Sequence, residues 1–273
     1  MATGAEVFNV VARFADEDSF GTLNASANYF SIPIISSTVA VSQNLTDTNE
    51  FDGTYVNGEP IADNISVAGD ITLRVRPKSS AQFLKWLFGA PVTTGTGPTY
   101  THTYTAGATV AKSFQMEIEF ADITEIQVTT GLVITGITAN LQTEGQYEFV
   151  VSVIGKQQTM AVTTTFTGAE TDYTTETEVF NSKDGTLTVG TTTAKVSTAN
   201  YALNRPAEAF YGIGDSGLAS DVYKSKFTAN GDITAQFIDS DLMDDALART
   251  PDNISVGVSD GTNSLTFNNP TVK

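Results

Sequence analysis

The chain has 273 residues, 40% apolar and only 16% charged, which excludes a disordered chain and leaves room for one large core or two small ones. Its net charge of −17 is spread evenly, with 16 acids and 7 bases up to residue 160 and 15 acids and 7 bases beyond it. No basic run occurs, so the counterion-releasing grip on nucleic acid or anionic lipid is excluded. The lack of cysteine excludes disulfides and thiolate metal sites.

About forty threonines, with frequent Val, Ile, Phe and Tyr and 22 glycines for turns, point to a mainly β protein. The start Met1-Ala2-Thr3-Gly4-Ala5-Glu6 lacks a basic segment followed by an apolar one, and no apolar run reaches membrane-spanning length. The expectation is synthesis in the cytosol and no membrane partner.

Residues 1–28 read as an arm that lies on another surface. Strands are expected at Tyr29–Ser36 and Thr38–Leu45. The stretch Thr46–Asn64, rich in acids and turn residues, reads as a long loop whose Phe51 and Tyr55 dock on a neighbour. Gly69–Val75 reads as a strand. It leads to a helix over Ala81–Phe88, with Ser79 or Ser80 as cap and Gly89 and Pro91 as stop. Leu84, Leu87 and Phe88 share one helical face, and Trp86 reads as packing.

After a turn at Thr93–Pro98, strands are expected at Tyr100–Tyr104, Ser113–Phe120, Ile123–Thr129, Leu132–Leu141 and Gln146–Ile154. Ser113–Phe120 alternates, with Phe114, Met116, Ile118 and Phe120 on a dry face and Glu117 and Glu119 on a wet one. Residues 157–180 read as a Thr-rich linker. Strands at Leu187–Val189, Ala194–Leu203 and Phe227–Ile238 follow, then a helix near Asp241–Leu247 and strands at Ile254–Val258 and Leu265–Phe267.

One unit occurs twice. Gly69-Asp70-Ile71-Thr72, preceded by a strand and a long loop and followed by a helix, has a counterpart in Gly231-Asp232-Ile233-Thr234 with the same order around it. A repeated unit presents similar faces to similar neighbours, which favours ring or array building over a catalytic cleft. The expected organisation is an arm at 1–28, a first half at 29–156, a linker at 157–180 and a second half at 181–273.

Catalytic readings find little support. His102 has no cysteine or carboxylate beside it in sequence, so neither a triad nor a zinc site forms. Gly212-Ile213-Gly214-Asp215-Ser216-Gly217 matches a dinucleotide fingerprint by letters but lacks the strand–turn–helix context. Asp239, Asp241, Asp244 and Asp245 lack the spacing of a calcium loop and suit a helix start. Glu117 and Glu119 stand roughly 7 Å apart on a strand, a glycosidase-like spacing, but one Trp makes no sugar cleft. The expectation is no enzyme, no cofactor and no metal.

In their order along the chain, several motifs resemble the tail tube proteins of long-tailed bacteriophages, in the subfamily where one chain carries a duplicated unit. They are Glu17 to Thr22, ending Ser19-Phe20-Gly21-Thr22, and the Gly69–Val75 strand with the Phe83–Phe88 helix. They continue with Thr130-Gly131-Leu132-Val133, Gly145-Gln146-Tyr147-Glu148-Phe149, Gly155-Lys156, Gly231–Phe237, and the final strand from Leu265-Thr266-Phe267 to Lys273. The resemblance implies two β-sandwich or barrel-like halves, each with a short flanking helix, giving strands to a large inter-subunit barrel through which phage DNA passes without tight binding. It implies rings of itself stacked in a virion tail, with tape-measure, terminator and tip proteins as partners.

With strands about 4.8 Å apart and tilted about 40°, about 24 strands enclose an opening of roughly 38 Å, from three chains giving eight strands or six giving four. On this reading Glu117, Glu119, Asp122, Glu125 and Glu144 are candidates to line the channel. Phe20, Phe51, Tyr55, Phe210, Tyr211 and Tyr223 are candidates to contact neighbouring subunits. A head decoration or shell protein, or an Ig-like carbohydrate-binding adhesin module, is the alternative.

Overall fold

The computed structural model describes residues 10–47, 58–97, 99–107, 112–142, 144–189, 192–193, 196–235 and 252–272. In chain order these form β1 (Val10–Asp16), β2 (Tyr29–Ser31), β3 (Ser36–Ser37), β4 (Ala40–Thr46), β5 (Ile61–Arg74), α1 (Ser80–Phe88), β6 (Val92–Thr96), β7 (Thr99–Thr103), β8 (Phe114–Phe120), β9 (Glu125–Gln142) and β10 (Glu148–Gly155). They continue with β11 (Gln157–Ala161), β12 (Glu170–Asp172), β13 (Gly185–Val189), β14 (Thr192–Thr193), β15 (Val196–Asn204), β16 (Ala207–Phe210), β17 (Asp221–Lys224), β18 (Thr228–Ala235), β19 (Asp252–Ser259) and β20 (Ser264–Val272). The protein is mainly β, as its composition indicates. Phe51, Tyr55 and the expected helix at Asp241–Leu247 lie outside the described residues.

Two sheets face each other. The first runs β12–β2–β1–β8–β9–β11 and the second β4–β5–β10–β9–β15–β18, with β3 beside β4 on β5. β9 belongs to both. Its Ile126–Thr130 part pairs with β11, and its Val133–Gln142 part pairs with β10 or β15. The two strands expected at Ile123–Thr129 and Leu132–Leu141 are thus one bent strand. The bend falls at Gly131, whose φ is +72°.

The chain changes sheet twice more. Lys156 passes between β10 and β11 and donates its N–H to the Thr130 carbonyl at 3.0 Å. Pro33, which has no N–H, ends β2. Ile32 still bonds β1 and Ile35 already bonds β5, so the strand expected at Tyr29–Ser36 is divided.

Between the sheets lie Phe14, Ile32, Val67, Ile71, Leu73, Phe114, Met116, Leu132, Ile134, Val151 and Val153, all buried. The helix α1 closes this core. Trp86 stacks on Phe114 at 4.3 Å and meets Phe83 edge-on, confirming it as packing. Trp86 Nε1 and Lys85 Nζ both donate to Asp16 at the end of β1, at 2.6 and 2.7 Å. A third sheet, β14–β13–β19–β20, packs through Phe267 on Tyr201 and Phe149 of the second sheet.

Several expectations change. The segment Val10–Asp16, read as part of an arm, is a core strand paired along its length with β8. The loop reading of Thr46–Asn64 ends early, because β5 begins at Ile61. The turn expected at Thr93–Pro98 is largely β6, which pairs with β7. Residues 157–180 are more than a connector. They contribute β11 and β12, stack Phe166 on Tyr29 and Tyr173 on Phe30, and bring Glu176 to α1. The Glu176 carboxylate accepts the N–H groups of Lys78 and Ser79 at 2.9 and 3.2 Å. It therefore performs the capping expected of a serine, while Ser79 makes no side-chain cap bond.

Candidate assembly surfaces

Dry-in, wet-out alternation was expected on Ser113–Phe120. It is found instead on the second sheet. In β8 every residue from Phe114 to Ile118 is buried, because Phe114 and Met116 face the core while the other face lies under residues 19–28 and 162–169. Gln115 exchanges bonds with the backbone of Asn24. Glu117 is 0% exposed, and its carboxylate accepts bonds from the Thr164 hydroxyl and from the N–H and hydroxyl of Thr165. Glu117 is therefore an internal anchor and does not line a water-filled surface.

The other acidic candidates do not converge. Glu119 is paired with Arg13 at 2.5 Å. Asp122 is exposed in the β8–β9 turn and Glu125 is half-buried beside it, whereas Glu144 is exposed in the β9–β10 turn at the far end of β9.

A coherent polar surface does exist, on the outward face of the second sheet. In β5 the buried Val67, Ile71 and Leu73 alternate with exposed Ala68, Asp70 and Arg74, and in β10 the buried Phe149, Val151 and Val153 alternate with Glu148, Val150 and Ser152. The register sets these in rows. One row is Arg74, Glu148, Asn140, Asn200 and Asp232; the next is Thr72, Val150, Thr138, Ala202 and Asn230; the next is Asp70, Ser152, Gly136, Asn204 and Thr228. The Ser152 hydroxyl donates to Asp70 at 2.7 Å, and Asn204 donates to Asn230 at 3.2 Å.

This face is made mostly of short Asn, Thr, Ser and Asp side chains. Both copies of the Gly-Asp-Ile-Thr motif stand on it, with Asp70 and Asp232 outward and Ile71 fully buried. The signal was present in the sequence as polar residues spaced by two in four strands, but the rows appear only once register is known.

Among the described residues the sheet ends at β18, whose strand partner is β15, and at β4, whose strand partner is β5. At Val39 and Val41 the outer edge of β4 is closed by the Gln158 amide, which accepts from the Val41 N–H and donates to the Val39 carbonyl. The two hairpins, β4–β5 and β15–β18, therefore flank the central β10–β9 pair, one on each side. They carry the two occurrences of Gly-Asp-Ile-Thr, Gly69–Thr72 in β5 and Gly231–Thr234 in β18.

A buried knot fixes the angle between the sheets. Glu17, 1% exposed, accepts the Gly131 N–H at 2.6 Å and the Gly21 N–H at 2.9 Å. Burial raises its carboxyl above the ordinary range; bonds from Ser113, Gly131 and Gly21 and the charge of Lys156 oppose that rise. Lys156 lies over the half-buried Phe20 ring at 5.9 Å. Phe20, an expected contact residue, thus packs on its own chain's bend.

A second link joins the start of β10 to β15. The Tyr147 and Tyr201 hydroxyls bond each other, and burial raises both phenols. The remaining aromatic candidates sit on β16–β17 and its turn. Phe210 and Tyr223 form an exposed edge-on pair at 5.5 Å, and Tyr211 donates its hydroxyl to the Ile65 carbonyl.

Among the described residues no group of three or more His, Asp or Glu is placed to hold a metal ion, and no helix is long and apolar enough to cross a membrane. No curated protein matches the chain. A family model described as phage tail tube protein matches residues 8–273.

Proposed function

Because the chain belongs to the phage tail tube protein family and is thus a structural component of a virion tail, we propose that its second sheet is the wall segment of the tube. The polar face of β4, β5, β10, β9, β15 and β18 turns to the channel, and the edges of β18 and β4 join neighbouring copies into a closed ring. The observation that carries this reading is the continuous polar face bounded by the edge of β18 and by the edge of β4 beyond Val41. Ring closure pairs those edges and removes the liability they present.

The strand number favours three chains. Six strands from each of three copies make a barrel of about 18 strands, with a backbone diameter of about 36 Å and an opening of about 26 Å once about 5 Å of side chain is subtracted from each wall. That opening admits a DNA duplex about 20 Å across with a layer of water. Six copies supplying the same strands would give an opening of about 62 Å, far wider than the duplex.

Along this wall Asp70, Glu148 and Asp232 are answered by Arg74 alone among the rows above, so phosphate is repelled within a Debye length of about 8 Å. The short amides and hydroxyls hold water without offering a cation to bind. Rings then stack into a tube that other tail proteins start, measure and close.

Sedimentation and negative-stain imaging of the purified chain test the reading. The expected species are rings of three 28.9 kDa chains, about 87 kDa together, and hollow filaments built from them. A protein that stays monomeric at every concentration, with no hollow particle, refutes it.

A further inference from the structure

We infer that the β6–β7 hairpin is a stacking arm that docks on the uncharged surface formed by β11 and β4 of the next copy of this chain. The inference rests on the tube reading above and adds the contact that makes rings stack.

The first observation is the state of the hairpin. All ten residues of β6 and β7 are exposed, including Val92 and Tyr100. Its shape is set from within. Five register pairs join Val92–Thr96 to Thr99–Thr103, Thr93 bonds His102 at 2.8 Å, and Tyr100 stacks on His102. A two-stranded hairpin is at best marginally stable in water by itself. This one is preformed, pairs with no other strand among the described residues, and leaves both faces exposed. That is the form of an element completed by a partner.

The second observation is charge. One residue in six of this chain is charged and the net charge is −17, yet no Asp, Glu, Lys or Arg stands between Lys85 and Lys112. Two copies of so acidic a chain repel wherever their acidic surfaces meet, so contact between them belongs on neutral ground. Among the other stretches free of charge are Ser19–Thr46, which contains β4, and Gln157–Ala169, which contains β11. Gln158 ties these two strands together. They carry Val41, Leu45, Met160 and, just beyond β11, Val162, all between 46% and 65% exposed. A neutral arm and a neutral apolar seat are thus both present on one chain.

The third observation is their placement. The hairpin follows α1, whose Lys85 and Trp86 bond Asp16 opposite Phe114 at the start of β8. Met160 lies beside Gln127, which pairs with Ile118 toward the other end of β8, and Val162 follows beyond that. Arm and seat therefore belong to opposite ends of a strand about 20 Å long. A contact between different surfaces at opposite ends of a molecule does not close on itself; it repeats as an open stack. The lateral edges of β4 beyond Val41 and of β18 remain available for the ring.

The test uses the full chain and two variants. Val92→Glu with Tyr100→Glu puts two charges on exposed positions of the arm, outside the buried core. The expected result is rings of wild-type mass and thermal stability, with filament length reduced at least tenfold. The cysteine-free sequence allows a second readout. The chain carrying Tyr100→Cys and Val162→Cys is expected to give a ladder of cross-linked multimers on a non-reducing gel after mild oxidation.

Variant filaments as long as wild type, or no ladder from intact filaments, overturns the stacking arm and leaves the wall reading standing. Wild-type chains that form neither ring nor filament overturn both.

Discussion

Replacing Gly131 by Ala probes the bend that sets the second sheet against the first. Gly131 has φ +72°, where a side chain costs about 1–2 kcal/mol. A Cβ there would lie 2.7 Å from Lys156 Cβ, and 3.1 Å from both the Lys156 nitrogen and a Phe20 ring carbon. Two of these atoms belong to the segment that changes sheet beside it and bonds Thr130, so relief requires moving backbone, at about 1–3 kcal/mol more.

The expected loss is about 2–5 kcal/mol, which for a chain of this size lowers the melting temperature by roughly 5–15 °C. Gly107→Ala is the control. Its φ is +78° and nothing lies within 4 Å of the added Cβ, so it carries the backbone cost alone. Thermal unfolding followed by circular dichroism compares the two. If Gly131→Ala costs no more than Gly107→Ala, the crossing at Lys156 is not packed as described and the bend is not held by contact.

Glu17 should make stability depend on pH in a defined direction. Its folded pKa is raised, so its contribution is complete below the unfolded value near 4.5 and is lost as pH rises through the folded value. The difference in urea midpoint between wild type and Glu17→Gln should shift in favour of wild type between pH 7 and pH 5; a constant difference contradicts a raised pKa. Trp86→Ala should cost about 3–5 kcal/mol in chemical denaturation, through loss of the stack on Phe114 and of the bond to Asp16; a loss under 1 kcal/mol shows that α1 does not close the core. Asp70→Lys with Asp232→Lys should leave filament length unchanged and slow DNA release from particles built with the variant, whereas release at the wild-type rate removes those carboxylates from the channel wall.

The β-rich composition, β8, β10 and α1 were legible in the sequence, because turn glycines, the stop at Gly89 and Pro91, and period-two runs are local properties. The four residues shared by Gly69–Thr72 and Gly231–Thr234 were legible too, whereas the pairing of each with the strand before its long loop was not. The role of Glu117 was not legible. In a strand that alternates, an acid opposite Phe114 and Met116 reads as solvent-facing. Only the return of Thr164 and Thr165, some fifty residues later, places hydroxyls and an N–H on its carboxylate.

The same holds for the bend. Thr130-Gly131-Leu132 looks like a break between two strands until Glu17 and Lys156 are seen holding it as one. Sequence alone determined what each segment can form, because φ preference and hydrophobic period act over a few residues. Tertiary structure decided which face of each strand is wet, because burial of a side chain depends on what distant chain is laid over it, and strand spacing carries no record of that.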